Sequence, residues 1–349
     1  MIDPARHSVA VFGRSALPGT ITHPLSPLPQ LIADLRGFSG IVVHPSVVAG
    51  RSDEASLILN LARAGVPVIG WISQEVREVL PQRLVSSVEE ASVDDLADPE
   101  LRDALSIRQR RAAWEGAFPT PPVSAVLVTS RPDFLDHALS QLGALSYPDL
   151  EIVIVTHGFS IGDALPASQI IEVPEAVPFG AALNRGFNAA KGELIVKFDD
   201  DDWYSSEHLN DLVCALHYSG ASLVAKAAEF VYLDMLDITI RRMAYESETF
   251  DNRNVAGGTF CMKRDLFYEV GGWREISRHV DQSFLDDVER LGLHWYRTHG
   301  HGYVLNRRET GHTWDAPVDY FLDTSVAQYR GLARSATLLD TPSSGISEA

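Results

Sequence analysis

The first third of the chain alternates short apolar runs with polar segments. Apolar runs occupy residues 9–12, 41–43 and 66–71, and apolar positions recur with helical spacing at residues 53–64. Short apolar runs without polar alternation are typical of parallel strands buried on both faces. The pattern therefore predicts a small Rossmann-like α/β unit.

A charged helical stretch follows at residues 94–116, where apolar residues recur among acids and arginines. The next segment, Phe118-Pro-Thr-Pro-Pro122, is rich in proline. Prolines end helices and make stiff, extended connections. We therefore predict a domain boundary here, with a first domain at residues 1–118.

From residue 123 onward, strand-like runs alternate with helix-like segments. The pattern predicts strands at residues 123–129, 151–156, 170–173 and 193–198, and helices at residues 133–145 and 181–190. Such alternation builds mostly parallel sheets flanked by helices, whose ligands bind beyond the carboxyl ends of the strands. We predict this α/β domain at residues 119–334 and a disordered tail, rich in Ser, Thr and Gly, at residues 335–349.

Four consecutive aspartates, Asp199 to Asp202, follow the last of these strands. Adjacent carboxylates repel one another, so a structured site of this kind needs a cation. Alternate residues of an extended segment point the same way, which lets Asp199 and Asp201 face one ion. Oxygen ligands favour Mg²⁺ or Mn²⁺ and leave coordination positions for a diphosphate. A solvated acidic turn is the alternative, but the apolar strand before the run and the aromatic pair Trp203-Tyr204 after it favour a site.

The composition narrows the function classes. The chain has 349 residues and a formal net charge of −18, which argues against a nucleic-acid partner, because phosphate backbones are bound by surplus Lys and Arg. No run is long enough and apolar enough to cross a membrane, and no signal peptide is visible. We expect a cytoplasmic protein, free or peripheral at the inner face of the membrane. Cys214 and Cys261 are too few for a disulfide framework.

Five segments carry a resemblance to a known family. In chain order they read VSAVLVTSRPDFLDHALSQL, YPDLEIVIV, GAALNRGFNAAKGELIVKFDDDDWY, AGGTFCMKRDLFYEVGGW and VDQSFLDDVERLG. Together they resemble glycosyltransferase family 2, the inverting enzymes of the GT-A fold, over about residues 123–315. The resemblance implies transfer of a hexosyl group from a nucleotide-diphosphate donor to the hydroxyl of a saccharide or lipid-linked acceptor, in polysaccharide or glycoconjugate biosynthesis.

The resemblance also implies roles for individual residues. Asp199 and Asp201 would hold Mn²⁺ or Mg²⁺, and Asp281 falls at the position of the catalytic base. Contacts to the nucleotide sugar are implied for Thr129, Arg131, Asn184, Asp199, Asp200, Asp202 and Trp203. Contacts to the sugar or the acceptor are expected at Gly257, Gly258 and Thr259, for which a plain turn is the alternative.

Several assignments stay open. Some GT-A enzymes complete the metal site with a late histidine, for which His312 is the first candidate and His301 the second, against an ordinary structural role. Asp281 precedes an amphipathic stretch, so a helix cap is the alternative to a base. Asp286 and Asp287 are rival candidates for the base.

The sequence departs from the family at two places. The second strand ends in Thr156-His157-Gly158 rather than in the acids that read the nucleobase, and Leu183 stands where the family has an arginine. Arg307 and Arg308 are candidates to neutralise the diphosphate, with surface ion pairs as the alternative.

Other interpretations remain for both parts of the chain. Acidic pairs with metals also serve phosphoryl chemistry, so a sugar nucleotidyltransferase is one alternative function, and a non-catalytic nucleotide-sugar-binding module is another. The segments HPSVVAGRSDEASLILNLARAGVPVIG and DPELRDAL resemble part of a GT-B type nucleotide-binding domain. These segments lack the phosphate-binding glycine loop of such a domain, which favours a structural or docking role for residues 1–118.

Overall fold

The computed structural model describes residues 9–12, 40–43, 51–161, 168–242, 248–308, 317–335 and 337–339. The chain divides into two units, Met1–Pro119 and Thr120–Ala349. Parallel strands and helices occur in both. Within the described residues, no helix is both long enough and apolar enough to cross a membrane.

The first unit contains a three-stranded parallel sheet. Its strands are β1 (Val9–Phe12), β2 (Gly40–Val43) and β3 (Val68–Gly70), in that order. The described helices are α1 (Arg51–Arg63), α2 (Gln74–Arg77), α3 (Gln82–Glu90), α4 (Val93–Ala97) and α5 (Pro99–Trp114). A small apolar core joins α1, β3, α3 and α5, so the predicted α/β character is confirmed.

The helix predicted at residues 94–116 is two helices, α4 and α5. Asp98 lies between them with an extended backbone, and its side chain accepts hydrogen bonds from the backbone N–H groups of Glu100 and Leu101. Pro99 takes the first position of α5, where no N–H is needed. This cap and the proline start a new helix inside the charged stretch.

The second unit has two sheets and further helices. Its strands are β4 (Val123–Thr129), β5 (Leu150–His157), β6 (Ser168–Val173), β7 (Leu194–Phe198), β8 (Trp203–Tyr204), β9 (Leu223–Lys226), β10 (Phe230–Leu233), β11 (Ile238–Arg242), β12 (Thr249–Phe250), β13 (Cys261–Lys263), β14 (Trp295–Thr298), β15 (Tyr303–Arg307) and β16 (Ser325–Arg330). The described helices are α6 (Leu135–Gly143), α7 (Phe179–Ala189), α8 (His208–Ser219), α9 (Arg264–Val270), α10 (Val280–Arg290) and α11 (Val318–Asp323). Short 3₁₀ turns lie at Pro132–Phe134, Asp234–Leu236 and Gly257–Thr259.

The large sheet has eight strands in the order β12-β14-β9-β13-β7-β4-β5-β6. All run in one direction except β12 and β13. Along β4, Val126 and Val128 belong to the apolar core on one face, and Ala125 and Leu127 belong to the core on the other. Burial on both faces explains why this strand reads as a continuous apolar run. The predicted mostly parallel sheet flanked by helices is confirmed.

A second sheet, which the sequence pattern does not predict, has the order β16-β11-β10-β15-β8. The two-residue strand β8 follows the acidic run directly and pairs with β15. Leu338 and Leu339 are buried beside Phe230 and Val304. Of the tail predicted to be disordered at residues 335–349, the structure describes residues 335 and 337–339, whereas residues 336 and 340–349 lie outside the described part of the chain.

Candidate active site

Two neighbouring strands, β4 and β7, bring polar residues together where they end. They pair in parallel, so Thr129 and Arg131 at the end of β4 lie beside the acidic run after β7. Asp200 accepts hydrogen bonds from the Thr129 hydroxyl and from the Arg131 guanidinium. Arg131 also donates to Asp201 Oδ2 at 2.9 Å. The two segments therefore meet at the carboxyl edge of the sheet, where parallel α/β sheets bind ligands.

A second arginine contacts the same carboxylate. Arg308, directly after β15, donates to Asp201 Oδ2 at 3.1 Å. The guanidinium carbons of Arg131 and Arg308 lie 4.8 and 4.4 Å from the ring centroid of Phe134. Burial acts to lower the pKa of Arg131, but the contacts with Asp200 and Asp201 outweigh it and raise that pKa. Asp201 is thus held between two guanidinium groups that share one aromatic ring.

Lys197 joins Asp199 to Asp281. Its Nζ lies 2.7 Å from Asp199 Oδ1 and 3.3 Å from Asp281 Oδ1. Asp199 follows β7, whereas Asp281 lies in the first turn of α10. Burial raises the pKa of Asp281, Lys197 opposes that shift, and the charge of Asp199 adds to it. One ammonium therefore places the predicted base beside a predicted metal ligand.

Asp281 does not act as a helix cap. The residue before α10 is His279, which has a left-handed backbone with φ 59°, and no side chain caps this helix. The rival bases form ion pairs elsewhere. Asp286 pairs with Arg253, and Asp287 pairs with Arg274 and Arg290. Among the three acids, the geometry favours Asp281.

The turn Gly257–Thr259 lies against both carboxylates. A Cβ added at Gly257 would stand 2.0 Å from Asp281 Oδ2, and one added at Gly258 would stand 2.7 Å from Asp199 Oδ2. Tyr204 ties the turn to the acidic run, because its hydroxyl donates to the Gly258 carbonyl and accepts from the Asp199 N–H. A side chain at either position would displace one of these carboxylate oxygens. This close approach, rather than the turn alone, explains the glycines at positions 257 and 258.

Three residues predicted to contact substrate are engaged within the protein. Asp202 accepts from the Tyr303 hydroxyl at 2.6 Å and from the Asn306 N–H at 2.9 Å, and burial raises its pKa well above the ordinary value. Asn184 makes two hydrogen bonds with the backbone of Trp273. The buried Thr259 hydroxyl donates to the Ala256 carbonyl. These bonds give Asp202, Asn184 and the Thr259 side chain structural roles, and their expected ligand contacts stay predictions.

Trp203 lies in β8, half-buried, at the rim of the acidic run. Its ring packs edge-on against His137, with centroids 4.5 Å apart, and His137 in turn contacts the Asp202 carbonyl at 2.9 Å. Arg334 lies over the same ring at 5.5 Å. The ring thus packs against two side chains, and the predicted stacking against the nucleotide sugar stays a prediction.

The histidines predicted as metal ligands divide into two cases. His312 lies outside the described residues. His301 is 9% exposed and packs edge-on against Phe230, with centroids 5.3 Å apart. Among the described residues, no three His, Cys, Asp or Glu side chains form a group that could hold a metal ion. The expectation that His312 or His301 completes a metal site stays a prediction.

Sequence reasoning missed the roles of Lys197 and Phe134. The signal for Lys197 was visible, since it is the one charged residue within the apolar strand β7, Leu194–Phe198. Phe134 gave no such signal, because one phenylalanine at a helix start is typical of core packing.

Parts of this chain are similar to known proteins. The family model described as "Glycosyl transferase family 2" matches residues 126–281. No curated protein sequence matches the chain. Solved structures with similar regions include the mannosyltransferase PcManGT from Pyrobaculum calidifontis in complex with GDP-Man and Mn²⁺, with 17% identity, a TM-score of 0.37, and coverage of 55% of this chain and 56% of that one. TarS from S. aureus in complex with UDP-GlcNAc shows 16% identity, a TM-score of 0.45, and coverage of 58% and 64%. The chain thus spans less than two thirds of either structure.

Proposed function

Residues 126–281 match glycosyl transferase family 2, and on this premise we propose that the protein transfers a hexosyl group from a nucleotide-diphosphate donor to an acceptor hydroxyl with inversion. The observation that carries the proposal is the meeting of Asp199 and Asp281 at the Lys197 ammonium, beside the Gly257–Thr259 turn. A donor-side acid and a candidate base from distant parts of the chain thereby lie beside one ammonium. The matching span begins in β4 and ends at Asp281, so it contains these residues.

Two carboxylates of the acidic run support the proposal of a cation site. The Asp199 side chain is 34% exposed, and the described contacts of the Asp201 carboxylate fall on its Oδ2 atom. Carboxylate oxygens suit Mg²⁺ and Mn²⁺, which keep positions for water and phosphate oxygens. We propose that Asp199 and Asp201 hold this ion. When bound, it offsets the charge that builds on the departing diphosphate.

Asp281 acts as the general base in this proposal. Its Oδ1 is held by Lys197, which leaves Oδ2 to take the proton of the acceptor hydroxyl. The acceptor oxygen then forms its bond to the anomeric carbon from the face opposite the diphosphate. The bond to the diphosphate breaks with both electrons staying on that group, so the configuration inverts in one step.

Arg131 and Arg308 would neutralise the leaving group. In the protein without donor they bind Asp200 and Asp201. Guanidinium groups bind phosphate oxygens with charge-assisted hydrogen bonds. We propose that they turn from these carboxylates toward the diphosphate when the donor binds. The pathway we propose is polysaccharide or glycoconjugate biosynthesis, with a saccharide or lipid-linked acceptor.

Thermal unfolding with a panel of nucleotide sugars tests the proposal. A cognate donor at about 100 times its Kd stabilises the fold by about 2.7 kcal/mol. We expect this stabilisation to need Mn²⁺ or Mg²⁺, to vanish in chelator, and to be lost in Asp201→Ala. The matched control is Asp286→Ala, which removes an exposed carboxylate outside the site and should bind donor normally.

The product identifies the reaction. The bound donor should be hydrolysed slowly to nucleoside diphosphate and free sugar. Stabilisation that persists in chelator would remove the cation from the proposal. Release of pyrophosphate would assign nucleotidyl transfer instead, and donor binding without any turnover would indicate a binding module.

A further inference from the structure

Lys197 is a buried ammonium in the middle of the large sheet. Its side chain is 2% exposed. It lies between apolar neighbours in β7, and its backbone N–H donates to the Phe260 carbonyl beside the 3₁₀ turn. Burying a charged amine is costly unless it is paired. Apolar packing therefore does not explain why a lysine occupies this position.

The partners of Lys197 give the reason. Its ammonium contacts two carboxylates, Asp199 at 2.7 Å and Asp281 at 3.3 Å, each through Oδ1. Their Oδ2 atoms instead face the turn, Asp281 Oδ2 2.0 Å and Asp199 Oδ2 2.7 Å from the positions where side chains on Gly257 and Gly258 would begin. The ammonium thus holds one oxygen of each acid, and the turn lies against the other.

We propose that Lys197 is a positioning residue, which sets the spacing of Asp199 and Asp281 and orients Asp281 Oδ2 toward the acceptor. The proposal rests on the proposed function of Asp281 as the base. Without the ammonium, the two carboxylates repel each other, and neither has another described cationic partner that would hold it in place. Lys197 contacts no reacting atom and acts only through Asp281 and Asp199.

A double-mutant cycle on kcat separates this role from a merely structural one. Lys197→Met keeps an apolar stem of similar length and removes the charge. At saturating donor and Mn²⁺, we expect kcat for donor hydrolysis to fall about tenfold to a hundredfold, the scale of a misplaced catalytic group. In an Asp281→Asn background, the same substitution should lower kcat much less, because only Asp199 is then left for Lys197 to position.

Lys226→Met is the matched control. Lys226 is also fully buried, and its Nζ pairs with Asp211 at 2.9 Å. Lys226→Met should lower the free energy of unfolding, as Lys197→Met should. In the Lys226→Met background, however, Asp281→Asn should still reduce kcat by the same factor as in the wild-type protein.

If Lys197→Met does not fold, the cycle is run with Lys197→Arg, which displaces the cation by a bond length. Lys197→Arg should lower kcat less than loss of the charge would, and again mainly when Asp281 is present. Equal effects of the Lys197 substitution with and without Asp281, or unchanged kcat in Lys197→Met, would overturn the inference. A wild-type protein that hydrolyses no donor would instead overturn the proposed function.

Discussion

Gly257→Ala should disable the candidate base without unfolding the protein. The new Cβ would lie 2.0 Å from Asp281 Oδ2 and 2.5 Å from its Cγ, whereas real Cβ atoms essentially never approach within 3.0 Å. The carboxylate must therefore move by about 1 Å, and a 1 Å misplacement costs about a hundredfold in rate. That loss equals about 2.7 kcal/mol of transition-state stabilisation.

The stability of Gly257→Ala should change little. The clashing atoms are the end of a flexible side chain, and the backbone at Gly257 does not have the positive φ that would strain an alanine. Replacing glycine also stiffens the unfolded chain, which offsets part of the cost. We expect thermal unfolding and calorimetric donor affinity close to wild type, with kcat for donor hydrolysis reduced about a hundredfold.

Gly143→Ala is the control for this substitution. Gly143 ends α6, and an added Cβ there would meet nothing within 4 Å. This variant should keep wild-type kcat. If Gly257→Ala were as active as Gly143→Ala, the Asp281 carboxylate would not be the group that the reaction needs, and the reasoning from the turn would fail.

Four further outcomes are expected. Asp281→Asn should bind donor normally and lose about a hundredfold or more in kcat, whereas Asp286→Asn should be as active as wild type in the same assay. Burial raises the pKa of Asp281, so this carboxylate should become protonated at a higher pH than an ordinary aspartate. As pH is lowered, kcat should therefore begin to fall earlier than it would with an ordinary aspartate as the base. A kcat profile that stays flat down to about pH 4 would contradict this. Asp202→Ala leaves the Tyr303 hydroxyl and a backbone N–H without their acceptor, so denaturant unfolding should show a loss of about 2–3 kcal/mol with donor binding retained in the folded protein. A chain that begins at Thr120 should keep donor hydrolysis if circular dichroism shows it folded, and its complete inactivity would place part of the site in the first unit.

The parallel strands were predictable because their signal is local. β4, β5 and β7 are apolar runs buried on both faces, and the acidic run is marked by its place after β7. The strand β8 and its sheet were not predictable, since a two-residue strand pairs with β15 only through tertiary contacts.

The same limit applies to side chains in the site. The residue types in the acidic run suggest ligands, but their partners come from distant segments. Asp202 pairs with Tyr303, and Asn184 pairs with the Trp273 backbone. A family pattern gives the position of a residue and not the direction of its side chain. Lys197 is the reverse case, because a charge within an apolar strand by itself indicates a buried partner of opposite charge.

The two guanidinium groups on Asp201 also affect how a donor reaches the site. The protein carries a formal net charge of −18, and a nucleotide-diphosphate sugar is an anion as well, so the protein as a whole repels it. Salt screens interactions beyond about 10 Å at about 0.1 M but hardly weakens contacts within a few ångströms. Once Arg131 and Arg308 turn from their carboxylates toward the diphosphate, as proposed above, they attract the donor at short range although the protein as a whole repels it at long range. Moderate ionic strength should speed the encounter with donor while the final contacts keep their strength.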